Sequence, residues 1–204
     1  MAGPTLWRTW RGWRHDGGHA DTSGARCTLV AMTDRVLIRS AFPDDAEAIA
    51  EVNASAWKTA FAGVVSEEYL SSYDGAPKRR REDLLTMPAE AIQLVAKDWD
   101  HVVGWLMGHP SEDDDCDPSG VYEVRACYVA PTHWRAGVGR RLMQHLLDDI
   151  DRSQWREVML WTPRDTAPTR AFYASLGFQP DGKTAVIDRL GAVPIVRLRC
   201  SLAG

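Results

Sequence analysis

Residues 121–142 read VYEVRACYVAPTHWRAGVGRRL, and the order of residue types along this stretch decides the fold. Val121 to Val129 is rich in β-branched and aromatic residues and stops short of Pro131, which cannot donate to a sheet ladder, so it predicts a strand. Gly137 and Gly139 then open a run with apolar residues at Val138, Leu142, Leu146, Leu147 and Ile150, one face of a helix over 137–150. The first turn of a helix carries unpaired N–H groups and a partial positive charge. Glycine there lets a ligand approach the backbone without meeting a Cβ, and Arg135 and Arg140 add charge beside it. Such a turn is a cradle for a phosphate or pyrophosphate. Three readings of the glycines compete on spacing alone. A Rossmann turn needs a third small residue where Leu142 stands. A P-loop needs Lys-Ser/Thr after its glycine, and none follows. The third is a helix merely begun by glycines.

On both sides of this stretch strands and helices alternate, which implies an α/β sheet. Upstream, Val36 to Arg39 predicts a strand. Pro43-Asp44-Asp45 opens a helix carrying Ala46, Ile49, Ala50, Val52 and Trp57, with its carboxylates where the helix dipole favours them. Ser66-Glu67-Glu68 starts a short second helix, and residues 77–85 a third. Ala91 to Ala96 and Val102 to Gly108 read as strands joined by a hairpin loop. Downstream, Glu157 to Trp161 is a strand, and Thr166 to Leu176 a helix with Thr166 placed to cap it and Pro168 in its first turn. Val186 to Ile187 and Ile195 to Leu198 supply the last strands.

Two blocks in this order resemble the GNAT superfamily of N-acetyltransferases. Residues 123–147 resemble the family's motif A, Gln/Arg-x-x-Gly-x-Gly/Ala, with Gly137 and Gly139 on both glycine positions and Trp134 in place of Gln/Arg. Thr166 to Phe178 resembles the block Asn-x-x-Ala-x-x-Phe-Tyr-x-x-x-Gly-Phe, matching at Phe172, Tyr173, Gly177 and Phe178, with Thr166 for Asn and Thr169 for Ala. Arg39 to Tyr69 resembles the N-terminal strand and helices, including Trp57, Phe61 and Gly63 after a one-residue shift. The resemblance spans roughly 35–200. It implies a GNAT fold, an α/β mixed sheet of six or seven strands splayed at its middle and flanked by about four helices. It also implies acetyl-CoA as co-substrate and an amine as acceptor. The pyrophosphate would then rest on Arg135, Ala136, Gly137, Val138, Gly139 and Arg140, with Thr166 nearby, and the pantetheine beside Tyr128 and Val129.

N-acetylation needs a neutral amine, and alkyl amines are protonated near pH 7, so a base must take a proton and the departing thiolate must gain one. Glu123 is the base candidate. It sits in an apolar strand, on the face of Cys127 and Val129 by two-residue periodicity, and burial would raise its pKa. The competing reading pairs it with Arg125. His133 is the second candidate. Tyr173, at the position of the family's acid, stays protonated at neutral pH and can donate to the thiolate; adjacent Phe172 is the expected core residue. A backbone N–H near Val129 is the expected oxyanion donor. Trp57, Phe61, Tyr69 and Trp105 are read either as the acceptor pocket or as core.

Composition narrows the classes. The net charge of −4 weighs against a duplex-DNA binder. Cys27, Cys116, Cys127 and Cys200 form no CxxC pair and no metal-ligand spacing appears, so no metal is expected and a reducing cytoplasm fits. No apolar run is long enough for a membrane span. Residues 1–33, with Trp7, Trp10 and Trp13 among arginines and then a Gly-rich polar stretch, are expected to be a disordered extension of a domain at 34–204. Glu112 to Asp117 is expected to be a solvated loop. The expected acceptor is a small-molecule amine. Protein acetylation, a non-catalytic acetyl-CoA-binding module and a nucleic-acid role for the Trp/Arg arm are the alternatives, and monomer and homodimer both stay open.

Overall fold

Leu94, Ala96, Leu106 and Val124 turn to one face of a sheet, and Val95, Trp105, Met107 and Ala126 to the other. That division organises the chain, described by a computed structural model at residues 35–117, 119–190 and 192–202. The extension expected at 1–33 lies outside the described residues.

Seven strands form the sheet: β1 (Val36–Ser40), β2 (Ile92–Asp98), β3 (His101–Pro110), β4 (Val121–Val129), β5 (Glu157–Pro163), β6 (Gln179–Ile187) and β7 (Val193–Ser201). Their order is β1-β2-β3-β4-β5-β7-β6. Only β4 and β5 run parallel, and the other neighbours are antiparallel. Among the described residues, five helices flank it: α1 (Ala46–Ala60), α2 (Glu67–Ser72), α3 (Pro77–Leu85), α4 (Val138–Asp149) and α5 (Ala167–Ala174). The expected mixed α/β sheet is present, with one helix more than expected.

The helices end where their chemistry says they should. Ser66 caps α2 by accepting from Tyr69 N (3.3 Å). Pro77 starts α3 at the position where a missing N–H costs nothing. Helix α4 buries Val138, Leu142, Met143 and Leu146 against β1 to β4. It lies close because β3 carries a glycine beneath it: a Cβ on Gly104 would sit 3.0 Å from Leu142 Cδ1 and 3.2 Å from Val138 Cγ1. Helices α1 and α3 cover the other face. There Arg80 lies buried over the Trp105 ring (4.8 Å) and pairs with Asp83 (3.2 Å).

Two expectations need correction. The last strands are far longer than the stretches 186–187 and 195–198 indicated. Strand β6 is an edge strand, exposed along most of its length, so no apolar alternation marks it. The acidic stretch is not freely solvated. Buried Arg197 of β7 grips Asp113 (3.1 Å) and Asp115 (2.7 Å), and Trp161 Nε1 donates to Asp113 (3.0 Å). Asp113, Asp115 and Cys116 place ligand atoms within 4.8 Å of one another, but the two carboxylates are already engaged by that guanidinium.

Candidate active site

The site begins where two parallel strands part. Strands β4 and β5 share four register positions, from Val121↔Glu157 to Val124↔Leu160. Arg125 to Val129 continue past the last of them, while Trp161 to Pro163 of β5 pair only with β7. A gap opens between the strands. In an antiparallel ladder each residue turns both backbone groups to the same side. Ala130 N donates to Val103 O (2.8 Å), so Tyr128 also faces β3, and Cys127 and Val129 aim their N–H groups into the gap. The Val129 amide, read from the sequence as an oxyanion donor, thus opens to the gap with the Cys127 amide beside it.

Strand β4 carries a bulge that the sequence reading did not foresee. Gly108 pairs with Val124 and Met107 with Ala126, so Arg125 is an extra residue. A bulge shifts the alternation of side chains by one. Cys127 and Val129 therefore pack on the α4 side, whereas Glu123 lies opposite His109 on the α1/α3 side with Ala126 and Tyr128. The expectation that Glu123 shares a face with Cys127 and Val129 is wrong for this reason.

Glu123 is 3% exposed. Burial pushes its carboxyl up to about 7, against the pull of Arg125 and with the help of Asp113 and Glu112. Arg125 Nε approaches Glu123 Oε2 at 3.3 Å, so the pairing anticipated as the bland alternative does exist. His109 is a neighbour that sequence reasoning missed. It is buried opposite Glu123, and burial with the nearby Arg125 charge holds its imidazole down to about 3, so it is neutral at physiological pH. Its only sequence signal is its place in a strand whose partner register was unknown. His133, the other base candidate, stands apart on the turn after β4, bonded to Thr132 (2.9 Å) and facing Asp98 (3.4 Å).

Tyr173 projects from α5 on the opposite side of the sheet. It packs edge-on to Phe178 (5.9 Å) within the α4-side core. Burial holds its phenol well above the ordinary value, with Cys127 and Tyr128 adding to the effect. The expected division between the two α5 aromatics is reversed: Tyr173 is buried and Phe172 only partly so. Phe172 instead lies against the start of α4, with its Cζ 3.4 Å from where a Cβ on Gly139 would be. Cys127 packs as a small apolar residue, its thiol pushed up to about 12 by burial.

The mouth of the gap is the beginning of α4. Arg135 (φ 64°) and Gly137 (φ 78°) both adopt the left-handed region, the first at some strain and the second without a Cβ to oppose it. Helix α4 starts with no side-chain cap, and the first of its amides bonded within the chain is that of Arg141, to Gly137 O (3.0 Å). The amides of Val138, Gly139 and Arg140 are thus presented to an anion. Arg140 reaches across to Ser175 Oγ (2.7 Å) and ties this end of α4 to α5. Trp134 is 42% exposed, and its indole N–H donates to Val129 O (2.7 Å), the carbonyl facing the gap. Thr166 occupies the N-cap position of α5 without capping it. Pro168 two residues on has no N–H to offer, and the hydroxyl donates to Pro163 O (2.9 Å) instead.

Among the aromatic candidates, Trp105 is core, its indole N–H bonded to Gln93 Oε1 (3.0 Å). Trp57 and Phe61 are buried in a third cluster with Val65, Leu70, Leu190 and Val193, against which Tyr69, Tyr73 and Tyr128 are partly buried. This cluster joins α1 and α2 to the turn between β6 and β7, on the side of β4 where Tyr128 stands.

Known proteins share the fold and the sequence pattern. A 25% identical protein of Mycobacterium tuberculosis, named as a probable N-acetyltransferase, aligns over 78% of this chain and 89% of its own length. The fold matches the PaiA N-acetyltransferase of Thermoplasma acidophilum in complex with coenzyme A, with TM-score 0.61, 19% identity, and 81% of this chain and 98% of that one covered. It also matches a GCN5-related N-acetyltransferase of Kribbella flavida, with TM-score 0.62, 22% identity, and 82% and 98% covered. The model of the acetyltransferase (GNAT) family aligns with residues 57–178, which hold the bulged strand, the gap, the uncapped helix and Tyr173, and the chain belongs to that family.

Proposed function

We propose that this N-acetyltransferase moves the acetyl group of acetyl-CoA to a primary amine of a small molecule by direct attack, within a domain at 34–204 that follows an extension at 1–33. The carrying observation is the gap itself, with Glu123 at its closed end and the bare α4 amides at its mouth. Acetyl-CoA supplies the acyl carbon and the thiolate leaving group. Arg135 to Arg140 hold the pyrophosphate through backbone amides, and Thr166 lines the approach from α5. The pantetheine runs beside Tyr128 and Val129, and Trp134 yields the Val129 carbonyl to it. The amides of Cys127 and Val129 receive the oxyanion.

Glu123 takes the amine proton from the α1/α3 side, and Tyr173 gives a proton to the thiolate from the α4 side. The two roles fall on opposite faces of the sheet, so the amine nitrogen and the thiol sulfur of the tetrahedral adduct are reached from different sides. The scheme assigns no step to a metal. A small acceptor is favoured over a protein because the third hydrophobic cluster joins α1 and α2 to the β6–β7 turn and closes the site on the side of Tyr128. No helix among the described residues is long and apolar enough to cross a membrane, and we place the activity in the cytoplasm.

The test is release of free CoA across a panel of small primary amines and of peptides with free amino groups, with products identified by mass. Turnover with small amines alone is expected. Turnover confined to peptides would replace the acceptor class. Tight acetyl-CoA binding without turnover on any amine would make the chain a non-catalytic binding module.

A further inference from the structure

The carboxylate at the closed end of the gap does not have its cation to itself. Arg125 is 4% exposed and lies between two acids. Its Nη2 donates to Glu112 Oε2 at 2.7 Å. Its Nε meets Glu123 Oε2 at 3.3 Å, an ion pair without hydrogen-bond alignment. The better bond thus goes to the outer acid, whose side chain is 50% exposed. This arrangement follows from the bulge, which inserts Arg125 as the extra residue between the ladder positions of Val124 and Ala126.

Further titratable and charged groups face Glu123 from the elements around it, and the Glu112 backbone also bonds its carboxylate. From β3 comes His109, neutral at physiological pH. From β5 the register partner is Met159, which carries no charge. From the connection after β3 come Glu112 and Asp113, the latter held by Arg197 and Trp161. On the helices over this face, Arg80 and Asp83 pair with each other over Trp105. Glu112 is the one exposed acid in the set, so it is the member that can be altered without touching the core.

We propose that Glu112 is a positioning residue that sets the protonation of Glu123 by drawing the Arg125 guanidinium away from it. A guanidinium shared with a second carboxylate stabilises the first less, and the second carboxylate adds its own repulsion. Both effects keep Glu123 a stronger base. Glu112→Gln removes both: Arg125 turns fully to Glu123, and the Glu123 carboxyl loses its proton more readily. The inference rests on Glu123 acting as the base for its consequence in catalysis, but not for the sharing of Arg125.

The experiment follows the Glu123 carboxyl carbon by NMR through a pH titration in the full chain, with Glu123→Gln used to assign the signal. The kcat/KM profile for one accepted amine is recorded alongside. Glu112→Gln should move the Glu123 midpoint toward acid by about 1 pH unit. The rising limb of the rate profile should move with it, which raises activity at pH 6 roughly fivefold relative to the parent. Asp114→Asn, which removes the same charge from an exposed position in the same loop, should move neither. Glu112→Asp should retain part of the parent behaviour. A Glu123 midpoint that stays put in Glu112→Gln, or moves equally in Asp114→Asn, overturns the proposal. A midpoint that moves while the rate profile does not would uphold the shared guanidinium and remove Glu123 from the role of base.

Discussion

Glu123→Gln should lower kcat/KM for an amine acceptor by about 10²–10⁴ at neutral pH, the usual worth of a positioned base. The reasoning is proton bookkeeping. The parent needs Glu123 ionised, and its carboxyl titrates at about 7 because burial raises it. Parent activity should therefore climb as pH rises through about 7 and then level. The variant lacks that limb and depends on free amine alone, so its deficit should shrink as pH approaches the amine's own pKa. The same variant carries a stability signature of predictable sign. A carboxyl whose folded-state pKa lies above its unfolded value of about 4.5 contributes stability below that value, and loses it as pH rises through about 7. Above pH 7 the parent holds a buried charge that Gln does not, and Arg125 keeps Glu112 as its partner. Thermal unfolding should show Glu123→Gln gaining on the parent between pH 5 and pH 9, by at most about 3 kcal/mol. Full activity at neutral pH would move the base elsewhere, to a water chain.

Tyr173→Phe should reduce turnover by about 10²-fold or more while acetyl-CoA affinity hardly changes. The phenol is held protonated well above neutrality, so it is a donor at every working pH. Removing one oxygen leaves the ring in place against Phe178 and Phe172 (5.9 and 5.0 Å). The proton that goes missing belongs to the leaving thiolate, so raising the pH should not restore the rate. That separates this variant from Glu123→Gln, whose deficit fades under the same change. Calorimetry for affinity and steady-state kinetics at two pH values would decide it. A Tyr173→Phe protein as active as the parent would make this tyrosine a packing residue.

The elements that the sequence disclosed are those whose signal is local. Val138, Leu142, Leu146 and Ile150 mark α4 by spacing alone, and Gly137 and Gly139 mark its bare start. What stayed hidden is what depends on a partner strand. The bulge at Arg125 exists only relative to β3, yet it decides which face Glu123 takes. His109 acquires meaning only as the residue across from Glu123. Asp113 and Asp115 read as solvated acids until Arg197, some eighty residues later, is seen to reach them. Thr166 has the spacing of a cap, but Pro168 leaves it one N–H fewer to cap and its hydroxyl donates to Pro163 O instead. Strand β6 was nearly missed because an edge strand open to water needs no apolar face.

In the proposed complex acetyl-CoA lies with its pyrophosphate on the start of α4 and its arm in the gap between β4 and β5. Amide proton–nitrogen correlation spectra recorded as acetyl-CoA is added test it directly. Saturable shifts are expected, concentrated at the amides of Arg135 to Arg140, at Cys127 and Val129, and at the Trp134 indole N–H as it gives up Val129 O. Saturable binding that leaves these groups unmoved while others shift would contradict it.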